Sequence, residues 1–249
     1  MMFLCCTVTL GERERLDNFM RSLSLALDVT PEFDNSLFLL LTDTGPGIDY
    51  LKAVNKYYIN VSMKWVGNLK GMGPKNLVYH RIKHIEEFGV GDDDVIMAYD
   101  DDYVFNPYFL RFTARIFREN EDINYLSLLK PEDFHIHPEW KSIEKSGFNF
   151  IKHPSCMGGS SMYRWKAFKN HIYDFFEENQ IDGKSQNGNS TFDQSIWNFI
   201  QSRDPEFTFW HLCDYSLVQH CNYSSYWGRS GHTYGGSFDP CVNPFKGEK

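Results

Sequence analysis

Apolar runs of strand length alternate with helix-period segments through the first hundred residues, and few folds accept that order. "MMFLCCTVTL" at 1–10, "SLFLLLTDTG" at 36–45, "VSMKWVG" at 61–67 and "VIMAY" at 95–99 read as strands. Strands without a polar face must be covered on both sides, which is the habit of a parallel sheet. Between them "RERLDNFMRSLSLAL" sets Leu16, Phe19, Met20, Leu23 and Leu27 at helical spacing. "IDYLKAVNKYY" at 48–58 reads as a short helix. "KNLVYHRIKHIEEF" at 75–88 aligns Leu77, Val78, Ile82 and Ile85, with Pro74 suited to its first turn and Gly89 to its end. "PYFLRFTARIFREN" at 107–120 reads as another helix.

The pattern changes after residue 120. "NYLSLLKPEDFHIH" and "FNFIKHPSCMGGSSMYR" read as strands and loops, "WKAFKNHIYDFFEEN" as a helix and "DGKSQNGNS" as a polar loop. "TFDQSIWNFIQSR" reads as a helix opened by a capping box, Thr191 to Gln194. "FTFWHLCDYSLVQHC" reads as a strand, and a tail rich in Gly, Ser and Tyr follows. No linker is visible. The expectation is one α/β domain over 1–249, mostly parallel in its nucleotide-binding half (1–105) and mixed in an acceptor-side half (106–249).

Composition narrows the partners. A chain of 249 residues, 42% hydrophobic and 23% charged, can bury a large core and has no disordered character. Its net charge of -8 offers no basic footprint for nucleic acid. An anionic protein that binds an anionic ligand needs a cation between them. No segment approaches the ~20 apolar residues of a membrane span, and the N-terminal run lacks the features of a signal peptide. Cys5, Cys6, Cys156, Cys213, Cys221 and Cys241 have no CxxC spacing, so they read as reduced packing residues in a cytoplasmic protein. Without a secretory signal the sequons at Asn60, Asn189 and Asn222 carry little.

Two acidic triplets bracket "VIMAY". In open parallel sheets, ligands bind beyond the carboxyl ends of the strands. Asp92, Asp93 and Asp94 precede the strand and read as a solvated loop. Asp100, Asp101 and Asp102 follow it, ~16 Å away for an extended chain. If the strand geometry continues, Asp100 and Asp102 point one way and Asp101 the other. Two convergent carboxylates at a strand end suit a hard divalent cation, Mg²⁺ or Mn²⁺, which could neutralise a diphosphate.

Further residues fit such a site. Asp193 lies in a first helical turn, where an acid is often only a dipole partner but can also serve as a base. His220 follows an apolar run and could complete a metal shell. Gly158 and Gly159 either form a turn or let backbone approach a ligand. Trp65, Trp140, Tyr163, Trp165 and Trp227 could stack on sugars, although most such aromatics belong to cores.

In the order of these motifs the chain resembles the GT-A glycosyltransferases, especially the family-2-like group. The resemblance runs from "TVTLGERERLDNFMRSL" to "SLVQHCNYSS", and "VIMAYDDDYVFNPYFL" is its most specific part, similar to the family's strand, DxD motif and following helix. The resemblance implies a nucleotide-sugar donor, UDP by family habit, a glycan acceptor and Mn²⁺ or Mg²⁺. It implies that Thr7 and Thr9 lie by the nucleoside, that Asp43 bonds the base and that Lys75 approaches the nucleotide. Asp100 would contact ribose or a metal-bound water, with Asp101 and Gly159 also in the donor site. Asp102 and His220 would ligate the metal, and Asp193 would be the general base of an inverting transfer. The chain departs from the family in "PKN", where an Arg-Asn pair is more usual, and in the tail after Tyr226.

Three other readings stay open. "DDDYV" also fits the DxDx(T/V) motif of haloacid-dehalogenase phosphatases, although that motif usually ends the first strand of its domain and here three strands precede it. A sugar nucleotidyltransferase would want a Gly-rich phosphate loop where "GERER" stands. A non-catalytic glycan-binding domain would need neither nucleotide pocket nor base.

Overall fold

The computed structural model describes residues 1–8, 13–33, 37–43, 60–66, 73–129, 141–153, 161–184, 192–221 and 238–246. The expected helix at 48–58, Thr191 of the capping box, and Thr9, Gly158, Gly159, Trp140 and Trp227 lie outside the described residues.

The alternation of the first half is realised. Strand β1 (Met2–Val8) is followed by helix α1 (Arg13–Val29), a 3-10 turn at Pro31–Phe33 and β2 (Leu37–Asp43). Strand β3 (Val61–Trp65), helix α2 (Gly73–Phe88) and β4 (Val95–Asp100) come next. Gly89 ends α2 with φ +87°, a conformation that glycine adopts without steric cost. Strands β3, β2, β1 and β4 lie side by side in that order, all parallel.

After β4 come β5 (Tyr103–Phe105), α3 (Phe109–Glu119), β6 (Tyr125–Ser127), β7 (Ser142–Lys145), β8 (Phe148–His153), β9 (Ser161–Arg164) and α4 (Trp165–Glu178). Helix α5 (Phe192–Arg203), β10 (Phe209–Leu212) and β11 (Val218–His220) follow. The main sheet continues past β4 as β9, β6, β10, β8 and β7. Here β9 is antiparallel to both β4 and β6, and β6 and β10 are parallel, so the second half is mixed. "FTFWHLCDYSLVQHC" is not one strand. It divides into β10 in the main sheet and β11, which pairs with β5 in a separate two-stranded sheet.

Side-chain alternation along the parallel strands assigns the helices to opposite faces. Leu4, Cys6, Leu39, Leu41, Met97 and Tyr99 pack with α1 and α3. Phe3, Cys5, Leu40, Ile96 and Ala98 pack with α2, α4 and α5. Every one of these strand residues is 5% exposed or less, which is why the strands carry no polar stripe. Cys5 and Cys6 are reduced and buried; burial raises the Cys5 thiol to about 12 and lifts Cys6 as well, so both behave as small apolar side chains. Tyr163 and Trp165 are likewise core residues rather than exposed platforms.

Candidate functional site

The chain leaves β1 toward β2 on one side and returns to β4 on the other, so the strand order reverses between β1 and β4. Open α/β sheets place their ligand crevice beyond the carboxyl ends of the strands at such a reversal. Thr7 pairs in register with Asp100 and Val8 with Asp43, which puts Thr7, Asp43 and Asp100 on one sheet edge. The side chains of Thr7 and Asp43 are outside the described residues.

The two triplets differ, but the first is more engaged than a solvated loop. Asp92 pairs with Lys169, and Asp94 is mostly buried, accepting a 2.7 Å hydrogen bond from the Gly91 N–H. Asp93 is exposed.

At the other end, strand geometry stops at Asp100 and a turn carries Asp101 and Asp102. The expected alternation therefore breaks. Asp100 turns to the α2 face, opposite the Tyr99 side chain, where Arg81 Nη2 donates to its Oδ1 at 2.7 Å and to the Tyr99 backbone carbonyl at 3.2 Å. Asp101 and Asp102 instead share a single cation on the α1 face. Arg15 Nη2 lies 2.7 Å from Asp101 Oδ1 and 2.9 Å from Asp102 Oδ2. Arg15 and Asp101 are almost wholly removed from solvent, at 3% and 0% exposure. Burial pushes the Asp101 carboxyl up to about 8; Arg15 opposes that rise, and Asp102 and Asp100 add to it.

Across from the turn, β5 and β11 pair Tyr103 with His220. The Cys221 N–H donates to the Asp102 carbonyl at 2.7 Å. These bonds bring His220 Nε2 to 3.2 Å from Asp102 Oδ2, with the imidazole edge-on to the Tyr103 ring. Two residues 118 positions apart in the chain thus converge, and the β5–β11 ladder is the device that brings them together. Asp101 Oδ2 and Asp102 Oδ1 are buried and have no hydrogen-bond partner among the described residues. Unmet lone pairs of this kind are costly unless a donor, a water or an ion completes them. Among the described residues no group of three or more His, Cys, Asp or Glu side chains is arranged to hold a metal ion.

The remaining expected site residues scatter. Lys75 lies in the first turn of α2 with Nζ 5.7 Å from the centre of the Phe175 ring. Its neighbour Asn76 accepts the Gly183 N–H at 3.1 Å, and His80 Nε2 shares a 3.0 Å hydrogen bond with the Gly183 carbonyl, so the chain entering 185–191 is tied to α2. Asp193 is in the first turn of α5; its side chain is outside the described residues. Arg15 and Arg81 were not anticipated. The signal was present: each interrupts an apolar stripe, four residues before Phe19 and Ile85 respectively.

No family model matches the chain, and no curated protein matches it. Solved structures do. TarS from S. aureus superposes with a TM-score of 0.55 at 16% identity, over 90% of this chain and 37% of that one. TarS 1–349 in complex with UDP gives 0.55 at 16% identity, over 88% of this chain and 60% of that one. A nucleoside-diphosphate-sugar pyrophosphorylase from Vibrio cholerae RC9 gives 0.52 at 11% identity, over 88% and 95%. The chain thus spans between 37% and 60% of the length of these TarS chains. At such identities the likeness is one of fold: a mostly parallel sheet reversing at β1 and β4, helices on both faces and a mixed second half give this chain the GT-A architecture.

Proposed function

We propose that this chain is a metal-dependent glycosyltransferase that moves a sugar from a nucleoside-diphosphate sugar, UDP being the favoured nucleotide, to a glycan hydroxyl with inversion. The observation that carries the reading is the meeting of Asp102 and His220 at the β1/β4 crevice, beside buried carboxylate oxygens that lack partners. TarS, which shares the fold, has been crystallised with UDP and with UDP-GlcNAc.

The donor set fits Mn²⁺ or Mg²⁺. It offers hard carboxylate oxygen and one imidazole, and such ions commonly take one or two protein carboxylates and complete their shell with substrate phosphates and water. That habit accounts for a site with two protein donors rather than a full cage. Asp102 and His220 would hold the ion, whose bound charge would stabilise the departing diphosphate.

The protein's own residues supply the rest. Residues 1–105 form the donor half of one domain and 106–249 the acceptor half. In this reading Thr7, Thr9 and Asp43 would serve the nucleoside, and Lys75 and Gly159 the nucleotide. Asp100, held by Arg81 with part of its carboxylate open to solvent, faces the ribose. Asp193 takes the proton from the acceptor hydroxyl while that oxygen attacks the anomeric carbon from the side opposite the diphosphate. The diphosphate leaves with the bonding electron pair, which inverts the centre.

The pyrophosphorylase likeness keeps nucleotidyl transfer as a second reading. One experiment separates them. Calorimetry of UDP with Mn²⁺ should show metal-dependent binding that Asp102→Ala abolishes and Asp93→Ala leaves intact, and UDP-sugar with Mn²⁺ should slowly release UDP. Equal effects of the two substitutions would sink the site assignment. Pyrophosphorolysis of a UDP-sugar to UTP and sugar 1-phosphate, without UDP release, would favour the nucleotidyltransferase.

A further inference from the structure

We infer that Arg15 is a positioning residue of this donor site, and that Asp101 serves the site through Arg15 rather than by touching the donor. The inference rests on the transferase reading above. Its basis is the sharing of one guanidinium nitrogen, Arg15 Nη2, by two adjacent carboxylates from the turn after β4, at 2.7 and 2.9 Å.

Asp101 cannot reach a ligand from where it lies, because it is fully buried under α1. What it can do is hold Arg15. Both carboxylates meet the same nitrogen of a planar guanidinium, so holding Nη2 against Asp101 also fixes where it meets Asp102. Arg15 in turn occupies Asp102 Oδ2, which sets the plane of that carboxylate. Its second oxygen, Oδ1, is then the one left without a partner among the described residues. His220 approaches the same carboxylate at 3.2 Å. The chain thus spends a buried ion pair on the orientation of one side chain. Buried ion pairs are weak sources of stability, so this one is read by the geometry it imposes on Asp102. The sequence position agrees: Arg15 is one turn ahead of Phe19 on the buried stripe of α1, where an apolar residue would otherwise pack.

Charge alone and positioning predict opposite signs. Removing a cation beside a cation site should tighten metal binding if Arg15 acts only through its field. Removing the residue that orients a ligand should weaken it, by about 10–100-fold for outer partners of metal ligands. The readout is the Mn²⁺ concentration that half-saturates UDP binding, followed by calorimetry on the whole chain. For Arg15→Met we expect this concentration to rise at least about tenfold. For Arg15→Lys, which keeps the charge but loses the planar head that places Nη2 between the two carboxylates, we expect a rise as well. A fall with Arg15→Met, or no change with Arg15→Lys, overturns the inference. If Arg15→Met does not fold, Arg15→Lys decides the matter. The wild-type protein reports separately on the underlying reading: if its UDP binding does not depend on Mn²⁺, the metal-dependent donor site itself is wrong, whatever the variants do.

Discussion

His84 should make this fold sensitive to mild acid, and the size of the effect follows from its surroundings. The imidazole is on α2, 4% exposed, and shares 3.1 Å hydrogen bonds with Thr42 Oγ1 on β2 through Nδ1 and with Ser62 Oγ on β3 through Nε2. Burial lowers its pKa to about 4; the nearby Lys64 lowers it further and Glu87 opposes. Because the folded value is depressed, the unfolded chain takes up the proton first as pH falls. The stabilisation is therefore fully present above the ordinary histidine value near 6.5 and is lost between there and about 4. The full span corresponds to about 3 kcal/mol, and about 2 kcal/mol is gone by pH 5. Urea unfolding at pH 7, 6 and 5 on the wild-type protein and on His84→Gln measures it. The variant is expected to be less stable at pH 7, with a gap that narrows by about 2 kcal/mol at pH 5. Parallel stability curves over that range, or an NMR titration placing His84 near 6.5, would refute the reasoning.

Asp193→Asn keeps the shape of the expected base and removes its proton affinity, so sugar transfer should fall roughly 10²–10⁴-fold. UDP affinity by calorimetry should hardly move; near wild-type transfer would place the base elsewhere. Gly183→Ala should cost about 1–3 kcal/mol in urea unfolding. Gly183 has φ +79°, and an added Cβ would lie 2.8 Å from Tyr79 Cδ1 and 2.9 Å from His80 Nε2; an effect below about 0.5 kcal/mol, the scale of a neutral surface change, would show that the tie to α2 yields freely.

The sequence made the parallel half legible because burial on both faces leaves a strand no polar stripe. Phe3 and Cys5 turn to one face and Leu4 and Cys6 to the other, and all four are apolar. Helices α1 and α2 were visible from their periodicity, α3 and α4 as helix-length segments, and α5 from its capping box. The short strands were not. β7 is polar and exposed along most of its length, and three-residue β5 has no room for a period. The split between β10 and β11 was hidden by continuous hydrophobicity, although Asp214 marks the turn. Its carboxylate accepts from the Asn149 N–H and side-chain amide at 3.0 Å. At the site, Asp102 and His220 were named from the sequence and lie together. Their neighbours were not named, because a charged residue in an apolar stripe reads equally well as a side chain snorkelling to solvent. Only the three-dimensional arrangement shows Arg15 turned inward.

That inward turn also bears on which chemistry the fold is used for. Both readings of the site require phosphate charge to be offset, but not to the same degree. A nucleotidyl transfer builds charge on a triphosphate or pyrophosphate, which calls for several preorganised donors aimed at it. Here the segment after β1 sends Arg15 to Asp101 and Asp102, so that cation is already committed to carboxylates. Arg81 is committed likewise to Asp100. Among the described side chains of the turn after β4, at most three negative charges then meet two positive ones, a local balance that is anionic or near-neutral. Such a balance disfavours a bare polyphosphate and, on the transfer reading, would suit a diphosphate accompanied by a divalent ion. The transfer reading asks for that: a modest carboxylate site that fills when metal and donor arrive together.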